Sequence, residues 1–172
     1  MTNQSIFTLT PLLFSMACGV TPTEGAWEYT GEETYENNTC GEVAEYEFDY
    51  DSGDAAFQLA LTDEGFNAVD LIYGETTKCT SNGSNFECDM GMYANQVIDW
   101  NTDAMEGEVD AVTTSKLAMT ASFGDSNSGE LITEVSNSCT GTECDALEES
   151  GMYVFCDVTV KSKIQHADAT KN

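Results

Sequence analysis

The chain has no arginine and only five lysines, Lys78, Lys116, Lys161, Lys163 and Lys171, against 31 acidic residues, so 172 residues carry a formal charge of −26. A surface of that sign repels phosphate backbones and anionic headgroups, which excludes nucleic acid as a partner. Histidine is nearly missing too, and the single one, His166, falls in the C-terminal tail. One distant histidine cannot complete a nucleophile–His–acid arrangement, and HExxH, a phosphate-cradling glycine loop and a redox CxxC are all absent. A four-ligand zinc site lacks partners for the same reason, so no metal and no cofactor is expected. These absences leave a non-enzymatic protein as the expectation.

Core-forming material is not lacking. Hydrophobic residues make up 41% of the chain and aromatics recur along it, so the acids coat a folded domain rather than mark disorder. The length suits one domain. Solubility in a salty medium accounts for the excess acid without a dedicated cation store.

Residues 1–17, MTNQSIFTLTPLLFSMA, carry no charge, hold an apolar stretch from Ile6 to Met16 and end in small residues. This pattern suits a signal peptide and is too short for a membrane-spanning helix. Ser15-Met16-Ala17 before Cys18 resembles a bacterial lipobox, which makes Cys18 the expected lipidation site and the membrane a partner through that lipid. Seven cysteines is an odd number, and assigning Cys18 to lipid leaves six that can pair completely. The expected division is a signal peptide at 1–17, a lipid-anchored tether at 18–25, a disulfide-stapled domain at 26–166 and a tail at 167–172.

Within the domain, Ala44, Tyr46, Phe48 and Tyr50 alternate with acids, which predicts a half-buried strand over Ala44–Asp51. Similar alternation runs through Phe57, Leu59 and Leu61, through Leu117–Phe123, from Leu131 to Val135, and from Val154 to Val160. Counting Trp27–Thr34, Ala44–Asp51, Ala55–Thr62, Val69–Lys78, Asn85–Met90, Val109–Phe123, Gly129–Ser138 and Met152–Ile164 gives about eight strands of an antiparallel meander, with the Val97–Trp100 segment left unassigned. The fold class is all-β. Eight strands suffice to close a small lipocalin-like barrel, with a sandwich as the alternative. Thr142–Ser150, stopped by Gly151, reads as one short helix before the last strand.

CTSNGSNFEC predicts a hairpin. With Gly83-Ser84 as its two-residue loop, Cys79 falls opposite Cys88 in a non-hydrogen-bonded pair, close enough for a disulfide. Proximity suggests Cys139–Cys144, and elimination then leaves Cys40–Cys156. Asp51-Ser52-Gly53 matches the aspartic-protease triplet, but its flanks are acidic and no second copy exists, so a hairpin turn is expected. Asp49, Asp51 and Asp54, like Asp125 and Asn127, form no complete calcium loop and read as turns. A hydrolase built on some pair of the many carboxylates is a third possibility that the sequence assigns to no residues.

Gly25-Ala26-Trp27 resembles the Gly-x-Trp that opens lipocalins, where the tryptophan plugs one end of a ligand-holding barrel. The late arginine that covers that tryptophan in the family has no counterpart here. The resemblance implies a carrier of a small apolar ligand, and Trp27, Tyr46, Phe48, Phe57 and Leu59 are the candidate cavity lining. A broader set, comprising Trp27-x-Tyr29, Asn38-Thr39-Cys40-Gly41, the Cys79…Cys88 hairpin, Ser138-Cys139-Thr140-Gly141-Thr142-x-Cys144 and Phe155-Cys156, resembles uncharacterised lipoproteins of myxobacteria and related deltaproteobacteria. That resemblance implies an outer-membrane-anchored envelope lipoprotein, periplasmic or surface-facing, without an assigned activity. Together these expectations describe a monomer with a binding or structural role, whose partner is a small apolar ligand or another envelope protein.

Overall fold

The computed structural model describes residues 20–42, 48–70, 74–83, 85–100 and 109–168. The expected signal peptide, Cys18, Tyr46 and half of the strand expected over Ala44–Asp51 lie outside them. Among the described residues, nine strands form one antiparallel sheet: β1 Gly25–Glu36, β2 Ala55–Leu61, β3 Gly65–Val69, β4 Thr76–Asn82, β5 Asn85–Asp89, β6 Asn95–Asp99, β7 Val112–Phe123, β8 Ser128–Thr140 and β9 Cys156–His166. The spatial order is β5-β4-β3-β2-β1-β9-β8-β7-β6, and β5 also pairs with β7. That last pairing, Asn85–Cys88 against Met119–Ser122, closes eight strands into a barrel. β6 takes the other half of the same β7 edge, at Val112–Lys116, and lies outside the closed ring. A helix, α1, Cys144–Glu149, precedes β9.

The barrel and the short helix before the last strand agree with the sequence reading, but the membership of the strands differs. The run expected as one strand over Val69–Lys78 instead takes in the end of β3, the connection after it and the start of β4. The Asp70 amide donates to the Glu75 carbonyl at 2.8 Å, and Gly74, at φ +70°, reverses the chain where an L-residue would be strained. The described part of the expected Ala44–Asp51 strand, residues 48–51, is a loop. Its aromatics are used differently: the Tyr50 ring stacks on Tyr29, centroids 3.9 Å apart, and Phe48 packs beside Cys40 and Cys156.

Strand length divides the molecule into two levels. The lower level is the closed ring, whose inward residues Trp27, Phe57, Leu59, Phe66, Phe123 and Ile164 form one core. β1, β7, β8 and β9, each of 11 residues or more, run on above it as an open sheet extended by β6. A smaller core of Val158, Val160 and the Cys40–Cys156 pair lies there, with Tyr35, Phe48 and Val135 against it.

The Asn38-Thr39-Cys40-Gly41 motif fastens the chain after β1 onto that upper sheet. The Asn38 side-chain oxygen accepts from the Gly41 amide, and Thr39 exchanges bonds with the backbone of Asp157. Cys40 then reaches Cys156 at disulfide distance, as Cys79 reaches Cys88 and Cys139 reaches Cys144. The hairpin pairs run 82/85, 81/86, 80/87 and 79/88, the register counted from a Gly83-Ser84 loop.

Candidate functional site: a cavity above an aromatic floor

The closed end of the barrel is sealed by rings. Trp27 is completely buried, with Phe123 edge-on at 5.2 Å and Phe57 roughly parallel at 6.2 Å. Phe66 meets Phe57, Phe86 and Phe123 at 5.1–6.4 Å, which completes the floor. Edge-to-face and offset contacts in this range add to the area that the rings bury.

His166 is not a free tail residue. It ends β9 opposite Trp27, is buried, and stands edge-on to the indole at 5.8 Å. Its Nε2 lies 3.0 Å from the Glu24 carbonyl, and its Nδ1 accepts from the Asp168 amide, so the ring is held in the tautomer that donates from Nε2. Gly25 makes room for it: a Cβ there would come 2.8 Å from that Nε2, and φ is +126°.

The segment expected as a tether is partly docked on this closed end. Pro22 is buried, the Thr23 amide donates to the Ser126 carbonyl, and the Trp27 indole donates back to the Thr23 carbonyl at 2.9 Å.

Above the floor, the ring is hollow on its short-strand side. A cavity of about 280 Å³ is walled by Phe57, Ala68, Met119 and Leu131 and reaches Tyr29. Asp70, Glu75, Met90 and Tyr93 stand around its mouth. The volume lies just under the roughly 300–1,000 Å³ of ordinary ligand pockets. Burial, then the stacked Tyr50 and the fields of Asp70 and Glu33, push the Tyr29 phenol above its ordinary pKa, so it stays a neutral hydroxyl. Glu33 follows Tyr29 along the inner face, opposite the buried Ser162. Burial first and Asp49 next push its carboxyl upward, and its Oε1 is enclosed without a hydrogen-bond partner.

Of the lining expected from sequence, Phe57 touches the cavity, Trp27 and Leu59 belong to the floor beneath it, and Phe48 lies in the upper core. Sequence reasoning missed Tyr29, Ala68, Asp70 and Glu75 as cavity residues. Met119 and Leu131 were on the inward phase of recognised strands, but no periodicity says which inward side chain faces a void.

Two other concavities are less enclosed by the barrel. One of about 300 Å³ lies between β6, β7 and the 152–154 segment, where Ile98, Met152 and Tyr153 are each more than a third exposed. The other, of about 530 Å³, runs past Lys116, Glu134 and Thr159 across the upper sheet.

The candidate protease and calcium segments are turns. Asp54 caps the Asp51 amide at 3.0 Å, and Asp125 accepts from the Asn127 and Ser128 amides, which holds its carboxyl below the usual range. Comparison with protein-family models, curated proteins and solved structures finds no match to the chain.

Proposed function

We propose that this chain is an exported, lipid-anchored protein of a bacterial outer envelope, and that its barrel holds a small, mainly apolar ligand without transforming it. The observation that carries this reading is the cavity itself: a space inside a closed ring, above a floor of aromatic side chains, with mainly apolar walls. One contact supports the lipocalin-like reading: His166, late in the chain, stands edge-on to Trp27, the residue that the family covers with a late arginine.

Acylation at Cys18 suits the geometry. Cys18 lies four positions before the docked Pro22, a span of at most about 14 Å. The sealed end then sits on the membrane and the cavity mouth opens away from it.

Native mass spectrometry of the protein released from its host's membranes tests both parts. The expected species begins at an acylated Cys18, carries three disulfides and retains a small non-covalent ligand. An unacylated Cys18 overturns the anchor, and an empty barrel that also takes up no small apolar compound overturns the carrier.

A second reading, a surface for another envelope protein, is favoured by one observation. Ile98, Met152 and Tyr153 meet around the upper concavity while 39–42% exposed.

A further inference from the structure

If the barrel is a ligand site, as proposed above, its lining constrains the chemistry of the ligand. The walls and the mouth differ in kind. Phe57, Met119 and Leu131 give an apolar seat, whereas the mouth on the β3–β4 side presents two carboxylates, Asp70 and Glu75. Their placement follows from strand phase. Asp70 continues the inward series Phe66, Ala68, and Glu75 precedes the inward series Thr77, Cys79. The backbone bond from the Asp70 amide to the Glu75 carbonyl, 2.8 Å, ties the two positions together across one turn. The rings of Tyr29 and Tyr93 also line it, and among the described residues no basic side chain does.

We infer that the cavity selects a compact organic cation, an amine on an aryl or short alkyl body. The body rests on Phe57, Met119 and Leu131, and the ammonium meets Asp70 and Glu75 at the mouth beside the tyrosine rings. A cation placed between two carboxylates that line a common opening is attracted by both. Tyrosine faces add to the same preference through their ring quadrupoles. An anionic ligand of the same shape meets only repulsion there. The overall charge of −26 attracts every cation diffusely, so the specific contact is distinguished by surviving salt.

Isothermal titration of the full mature chain with three probes of matched shape tests the inference: phenethylamine, 2-phenylethanol and 3-phenylpropanoate. The amine is expected to bind about tenfold or more tighter than the alcohol, and the alcohol tighter than the acid. The gap should persist in about 0.5 M salt, where exposed charges are screened within a few ångströms. Asp70→Asn and the exposed Glu75→Gln should each cost the amine more than the alcohol. Equal binding of amine and alcohol overturns the inference and leaves the ligand-site reading standing. A gap that salt abolishes, or that both substitutions leave intact, likewise overturns it. Binding of none of the three overturns the inference and the ligand-site reading together.

Discussion

The lower ring and the upper sheet are built from the same long strands, yet they are held by different means. In the ring, both faces of the problem are solved by closure: no strand edge is left open, and Trp27, Leu59, Phe66 and Ile164, each at most 1% exposed, fill the enclosed end. The upper sheet curves over only a small apolar cluster, and its outermost strand leaves Val97 61% exposed. There, two of the three disulfides and a set of side-chain hydrogen bonds replace burial. Cys139–Cys144 joins the end of β8 to α1, while Asp110 accepts from the Thr142 hydroxyl at 2.7 Å and Glu143 accepts from the Asp110 amide. Where apolar area can be enclosed the chain relies on rings, and where it cannot it relies on covalent links.

The largest expected effect follows from removing the centre of the floor. Trp27→Ala should cost about 3–5 kcal/mol by loss of buried area and cavity formation, and it should unfold both levels together because the long strands are shared. Denaturant titration followed by circular dichroism measures this. A small loss confined to one level would break the comparison.

Next in size is the double variant Cys40→Ala/Cys156→Ala, which opens a link spanning 116 residues. Its expected cost is about 2–4 kcal/mol. Hydrogen exchange should quicken over residues 37–42 and the upper ends of β1 and β9, while the Trp27 neighbourhood stays protected. Uniform quickening would show that the two levels do not differ.

Gly25→Ala is predicted to be smaller, about 1–3 kcal/mol, since the added methyl meets the His166 ring and the backbone is left-handed. A loss of Trp27 near-ultraviolet dichroism should accompany it, which localises the damage to the floor.

The smallest effect concerns Glu33, at the junction of the two levels. Its folded pKa is raised, so its contribution is most favourable while it is protonated and is lost as pH rises through the folded value. Glu33→Gln should therefore raise the melting temperature by about 2 °C at neutral pH and by nothing near about pH 4, where wild type is also uncharged. The same gain at both pH values would contradict burial of the charge.

The long strands were legible because Leu117–Phe123 and Val154–Val160 alternate cleanly over a half-buried surface. So was the 79/88 register, which a two-residue loop dictates locally. β3 was not, because its inward phase is marked by only Phe66 and Ala68, and its neighbour β4 carries Thr77, Lys78 and Cys79 in place of a hydrophobic run. The Ala44–Asp51 alternation misleads at its described end, since Tyr50 and Phe48 are placed by partners distant in sequence, Tyr29 and Cys156. The cavity was illegible for a related reason: its existence depends on the diameter of the closed ring and on how far the Trp27 cluster fills it.

Methyl-resolved NMR of the folded chain, titrated with small apolar compounds, tests the ligand-holding barrel most directly. The account predicts saturable shifts at Ala56, Ala68, Met119 and Leu131, abolished by Ala68→Trp, which fills the cavity. Shifts that scatter over the surface, or that gather instead at Val97, Ile98 and Met152 of the upper sheet, would contradict it.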